Sequence, residues 1–282
     1  MLKGLSKAGI GEVKGLKELI SLAAHNGFHA VEATSDDLKE FITQTSLNDV
    51  KIYLETEGIQ LGAVTLPVEW RTDTETFKEG IKEFVEIADY ASKLGCKTFF
   101  TYFMPSTDED VAPYMIELTN RLRLIGRILK EYDMNLALEY VGPLHLREKW
   151  RNVFIWNAEQ TLQWLELVGE SNIGIVLDSF HWYLCGETVE TILAMDSSRV
   201  KYVHINDVRN IPVEEVLDND RVFPGEGVID LSGFLHALKK INYTGVVTQE
   251  ILTITEPTES SHNLAKKSGE SFRSVFGHAN II

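Results

Sequence analysis

Four side chains able to bind a divalent cation sit in or at the ends of apolar runs between residues 139 and 250 of this 282-residue chain. Glu139 follows Leu136-Ala137-Leu138, and Asp178 follows Ile175-Val176-Leu177. His204 follows Tyr202-Val203, and Glu250 closes the run that begins at Val246-Val247. An ionised group at such a position is costly unless it is paired or bound to a metal. Three carboxylates and one imidazole make a borderline-to-hard ligand set, suited to one divalent ion such as Mn²⁺, Mg²⁺, Co²⁺, Fe²⁺ or Zn²⁺. One strand-end carboxylate alone has an ordinary explanation as a helix cap or an arginine partner, and a lone strand histidine is usually a satisfied core residue. Four at matching strand positions are not explained that way.

The gaps between them, 39, 26 and 46 residues, are each the size of one strand-helix unit with its loop. Short β-rich runs recur along the chain at 4–10, 29–34, 61–68, 97–104, 135–141, 172–178, 200–206 and 245–251. Helical periodicity separates them, beginning at 13–25. Phe84, Ile87, Ala88 and Ala91 form one apolar stripe, and Ile116, Leu118, Leu122, Ile125 and Leu129 another. Near-continuous apolar strands alternating with helices imply a parallel sheet covered on both faces. Eight such strands close a barrel, so the expectation is an α/β fold, a (β/α)8 TIM barrel formed by residues 1–282 as a single domain. No strand is followed by the glycine-rich phosphate turn of an open dinucleotide-binding sheet. The long irregular stretches 142–156 and 208–228 follow strands five and seven, on the face where barrel active sites are built. The last helix is expected from about 258 to 276.

Other residues near that rim are candidates for substrate contact. His181, three residues after Asp178, would sit at the pocket mouth and hydrogen-bond a substrate oxygen. Arg221, in the stretch DRVFPGEG, could polarise one. Glu32, Trp70, Trp150, Arg151 and Trp156 are candidate walls or lid residues.

Composition narrows the partners. Asp and Glu number 42 against 27 Lys and Arg, a net charge of −15, which argues against nucleic acid as the main partner. No apolar run approaches the roughly 18 residues of a membrane span. The first residues lack the apolar stretch of a secretory signal, so a cytoplasmic location is expected. The two cysteines, Cys96 and Cys185, form no CxxC pair and read as free, mostly buried thiols.

The stretches ALEYVG, GIVLDSFHWYLCGE, YVHINDV and DRVFPGEGVIDLSGFLHALKKINYTGVVTQEIL resemble the xylose-isomerase-like barrel superfamily of sugar isomerases, epimerases and type IV apurinic endonucleases. Within it the chain is most similar to the inosose (2-keto-myo-inositol) isomerases. The similarity covers most of the chain from about Gly95 onward, and the first third matches in pattern only. The resemblance implies the metal quartet Glu139, Asp178, His204 and Glu250, with substrate contacts at His181 and Arg221. It implies that Glu139 and Glu250 are the catalytic acid/base pair, as the corresponding glutamates are in ketose epimerases. The expected activity is a metal-dependent isomerase or epimerase acting on a sugar or keto-polyol through a metal-stabilised cis-enediolate. The alternative is an inosose dehydratase, which begins with the same proton abstraction but loses water. A nuclease is disfavoured, because Val222 stands where the three-zinc endonucleases carry a histidine and strand four ends in Phe103-Met104. Where some ketose epimerases place a further glutamate, this chain has His145. Related barrels are often dimers or tetramers, though no helix face here stands out as an interface.

Overall fold

Strand side chains alternate between the two faces of a sheet, so in a closed parallel barrel every second residue points inward. The computed structural model, which describes residues 1–281, has this arrangement. Eight parallel strands close in the order one, eight, seven, six, five, four, three, two. They are Leu2–Leu5, Ala30–Ala33, Gln60–Thr65, Thr98–Tyr102, Asn135–Glu139, Ile173–Asp178, Val200–Ile205 and Val246–Gln249. Expected and observed strands agree except at their ends, and the first differs most. It runs over Leu2–Leu5, because the left-handed Gly9 and Gly11 turn the chain away from the barrel soon afterwards.

Two apolar cores result. The larger lies between the strands and the surrounding helices. The smaller fills the barrel interior with Ala30, Ala63, Phe100, Ala137, Val176, Tyr202 and Val246. Three alanines make room for the Phe100 and Tyr202 rings, stacked with centroids 6.0 Å apart. Two residues further along each strand, the interior face returns at the C-terminal rim. From Ala30 this step gives Glu32, from Ala137 Glu139, from Val176 Asp178, and from Tyr202 His204. Strand eight arrives by two steps, from Val246 through Thr248 to Glu250. The apolar plug thus forms the floor beneath a layer of ionisable groups. The ladder register fixes their order, with Asp178 and Thr248 both beside His204 and Glu139 beside Val176.

Caps set where the helices start. Thr34 accepts from the Asp37 amide at 3.0 Å, so the helix Ser35–Gln44 begins as strand two ends. A second helix, Leu47–Glu57, follows in the same unit, with Ser46 as its cap. The last helix spans Ser261–His278, starting a few residues later than expected because Ser260 takes the capping position. Both long rim stretches carry structure of their own. Asn152–Val153 pairs antiparallel with Ser106–Thr107, which joins the loop after strand five to the one after strand four. Arg221–Val222 likewise pairs antiparallel with Asp207–Val208.

Both cysteines are free; Cys96 is buried and Cys185 half-buried. Burial pushes the Cys96 thiol up to about 12, away from reactivity. Among the described residues, no helix is long and apolar enough to cross a membrane.

Gly4 sits at the seam between strands one and eight, where an added Cβ would lie 2.1 Å from the Thr248 hydroxyl. That hydroxyl is held by Tyr202 Oη at 2.6 Å inside the barrel. Gly4→Ala is therefore expected to cost about 1–3 kcal/mol by overpacking. Urea unfolding checks this, and unchanged stability would mean the seam relaxes freely.

Candidate metal and active site

Glu139, Asp178, His204 and Glu250 each offer one donor atom, and the four atoms lie within 4.8 Å of one another. The residues fit a single divalent ion by this spacing and by their donor types. Among the described residues they are the one such cluster of three or more His, Cys, Asp or Glu side chains. Glu139 and Asp178 are buried, His204 is fully enclosed, and Glu250 is partly open.

Hydrogen bonds define what each group faces. His204 Nδ1 lies 2.9 Å from Glu139 Oε1 and 3.5 Å from Glu250 Oε2. Its Nε2 lies 2.8 Å from Glu32 Oε2. Asp178 accepts from Asn206 Nδ2 at 3.0 Å and from the Phe180 amide at 2.7 Å, which caps the short helix Ser179–Leu184. Arg221 Nη1 bridges Asp178 Oδ2 at 2.8 Å and Glu250 Oε2 at 2.6 Å. The guanidinium lies over the Phe180 ring at 4.5 Å and is almost completely buried. The arginine therefore bonds two members of the quartet directly.

Crowding like charges away from water dominates the acid-base behaviour. Burial, followed by the nearby Glu250, raises the Glu139 carboxyl to about 8 against the opposing pull of His204. Burial also works to raise Asp178, but Arg221 and then His181 and His204 outweigh it and hold Asp178 below its ordinary value. For His204 burial pulls down, yet Glu250, Glu32 and Glu139 together hold the imidazole well above its usual range. Burial raises Glu32 despite its contact with His204.

A cavity of about 350 Å³ opens above the cluster, lined by Ser6, Lys7, Glu32, Thr34, Thr65, Arg71, Phe100, Tyr102, Glu139 and Glu250 among others. Its two cations are already neutralised. Lys7 pairs with Asp37 at 2.7 Å, and Arg71 pairs with Glu69 at 2.6 Å while lying over the Tyr102 ring at 4.4 Å. Lys7, Thr65, Arg71 and Tyr102 were not singled out by sequence reasoning. They belong to the first four units, where no residue stands out as a ligand, and only their position at strand ends could have marked them.

His181 is buried just behind the quartet. Its Nδ1 accepts from the Gly142 amide at 3.2 Å, which leaves the proton on Nε2. Burial, the largest influence, lowers its pKa and favours the neutral ring. Trp70 is not a pocket wall. It is fully buried, its indole N–H donates to Thr101 at 3.2 Å, and its ring packs 6.3 Å from Trp164. An apolar strand end drew it into the outer core rather than the cavity. Trp150 and Trp156 are half-buried, Arg147 lies over Trp156 at 4.3 Å, and the exposed Arg151 donates to Asp108. The antiparallel pairing of 152–153 holds this stretch in place.

Asp207 was also missed. Fully buried, it accepts from the backbone amides of Val208, Gly225, Gly227 and Ile229, at 2.9 to 3.0 Å. It thereby folds the PGEG segment beside Arg221, and a Cβ at Gly227 would collide with both the Val208 carbonyl and Asp207.

A closed eight-stranded barrel carrying three carboxylates and an imidazole at its C-terminal rim defines a class of barrels with a candidate metal centre. The chain belongs to the xylose isomerase-like TIM barrel family, whose model matches residues 20–274. It is 31% identical over 245 residues to an inosose isomerase of Bacillus velezensis, covering 85% of this chain and 84% of that one. Among solved structures, a xylose isomerase domain protein from Alicyclobacillus acidocaldarius superposes with a TM-score of 0.93 at 28% identity, covering 99% of each chain. The IolI protein with a bound zinc atom superposes with a TM-score of 0.83 at 26% identity, covering 98% of each.

Replacing Asp207 by Ala would strand four buried amides. The loss is expected to reach on the order of 3 kcal/mol, with faster hydrogen exchange at Gly225, Gly227 and Ile229. Exchange unchanged at those amides would show that the segment is held by something else.

Proposed function

We propose that this chain is a divalent-metal-dependent isomerase or epimerase of a small, uncharged keto-polyol, of the inosose or ketose type. The observation that carries the reading is that Glu139 and Glu250, alone of the quartet, also line the cavity. Two carboxylates that face both a cation site and a substrate space are placed to handle substrate protons. The inosose isomerase relative and the zinc in the IolI structure support the same reading.

Glu139, Asp178, His204 and Glu250 would hold the ion. Bound there, it would supply Lewis acidity, polarising a carbonyl and acidifying the neighbouring C–H. One glutamate removes that proton, and its return to the adjacent carbon gives isomerisation, or to the opposite face epimerisation. Asp178 is buried and does not line the cavity, so it would act only as a ligand. His181 presents Nε2–H as a hydrogen-bond donor, and Arg221 stabilises negative charge on the carboxylates and on substrate oxygen. The hydroxyls of Ser6, Thr34 and Thr65 suit a polyol. The internally paired Lys7 and Arg71 leave no free cation to demand a phosphate. A volume of about 350 Å³ lies at the low end for small-molecule sites and fits one ring.

Purified protein is expected to contain about one divalent ion per chain, and Asp178→Asn to lose it. Glu250→Gln is expected to lower turnover of keto-inositols or ketoses by about 10²–10⁴. Product mass should equal substrate mass. Loss of water would identify a dehydratase, and full activity in Glu250→Gln would remove that residue from proton transfer.

Metal uptake also requires the cluster to shed protons. Glu139 retains its proton up to about 8, and His204 titrates well above its usual range. Binding near neutral pH should therefore release protons, and affinity should rise as the pH increases towards about 8. Calorimetry in buffers of different ionisation enthalpy measures both. Uptake without proton release would contradict this assignment.

A further inference from the structure

Glu32 stands apart from the quartet, on strand two, yet it is the side chain that grips the far side of the quartet's histidine. Its Oε2 lies 2.8 Å from His204 Nε2, and the residue is only 9% exposed. The other ring nitrogen, Nδ1, faces Glu139 and Glu250. Phe100 and Tyr202, stacked on each other, both meet the imidazole at a steep angle with centroids 5.5 Å away, so the ring is packed against them as well. The backbone makes a matching adjustment. Between strands two and three the register slips at this point, pairing Val31 with Leu61 but Glu32 with Ala63, so that Gly62 is the extra residue. Such irregularities beside a site re-aim a side chain. Gly62 leaves space here, since a Cβ on it would lie 3.4 Å from the Tyr202 hydroxyl and 3.3 Å from the Val31 carbonyl.

We propose that Glu32 is a positioning residue for the cation site: it accepts a hydrogen bond from His204 Nε2–H and so presents Nδ1 as the ligand atom towards Glu139, Asp178 and Glu250. A histidine has two nitrogens that can ligate, and which one does so is set by what the other bonds. With Nε2 engaged by Glu32, the lone pair available to a cation is the one directed into the cluster. Rotating the ring to exchange the nitrogens would cost the Glu32 bond and disturb the packing against Phe100 and Tyr202. Glu32 also lines the cavity, so it couples the substrate space to the histidine without contributing a ligand atom. This inference rests on the metal-dependent reading above.

The test compares the full-length native chain with Glu32→Ala and Glu32→Gln, all stripped with chelator and titrated with Zn²⁺ and Co²⁺. Glu32→Ala is expected to bind about 10–100-fold more weakly. Glu32→Gln should recover most of the affinity, because its amide oxygen still accepts the bond. Melting curves recorded alongside separate this from a purely structural role. A lower melting temperature with unchanged affinity would assign Glu32 to stability and overturn the proposal. If Glu32→Ala does not fold, ¹⁵N spectra of the native zinc-loaded protein decide. A protonated Nε2 and a metal-shifted Nδ1 at His204 are expected, and the reverse pattern overturns the proposal. A native chain that takes up neither metal would instead overturn the metal-dependent reading and this inference with it, whereas equal affinity in native and Glu32→Ala protein removes this inference alone.

Discussion

Carboxylates repel one another, and removing them from water sharpens that repulsion. The rim of this barrel concentrates Glu32, Glu139, Asp178 and Glu250 around one imidazole, so much of the local structure serves to make that tolerable. Arg221 enters from the loop after strand seven to bond Asp178 and Glu250, and Asn206 donates to Asp178 from the residue just past strand seven. Despite burial, Glu250, Glu32 and Glu139 hold the His204 imidazole well above its usual range, with a proton that a bound cation would displace. Asp207 in turn anchors the segment beside Arg221 through four amides. A divalent cation would complete the neutralisation that these groups begin, which is why the arrangement suits an ion better than a plain structural salt-bridge network.

The part of this that could be read from sequence is the part written in the strand period. Glu139, Asp178 and Glu250 stand out because apolar residues lead up to them, and His204 because it interrupts a buried run. Their spacing by whole strand-helix units places them at one rim before any coordinates are considered. The eight-stranded barrel followed from the same alternation, and its differences lay at element ends, where turns set by Gly9 and Gly11 shorten a strand or a cap such as Ser260 sets a helix start.

What escaped the sequence depended on contacts between distant residues. Nothing in the run Ala30–Ala33 reveals that Glu32 meets His204, 172 residues away. Asp207 reads as one more polar residue after Asn206, because its four partners are backbone amides and leave no side-chain signature. Trp70 was misplaced for the converse reason. An aromatic ring after a strand is compatible with a sugar platform or with the outer core, and only the position of Trp164 decides.

The origin of the cavity wall along the chain has a consequence for how such a protein can change. The cation cluster comes entirely from residues 139–250, while Ser6, Lys7, Thr34, Thr65, Arg71 and Tyr102 come from the first four units. Chemistry and substrate fit are thus encoded in separate halves of the polypeptide. Substitutions in the first four strand-helix units can resize or repolarise the binding space while the charge balance of the cation cluster stays intact. Glu32, a first-half carboxylate hydrogen-bonded into the second-half cluster, marks where that freedom to diverge stops.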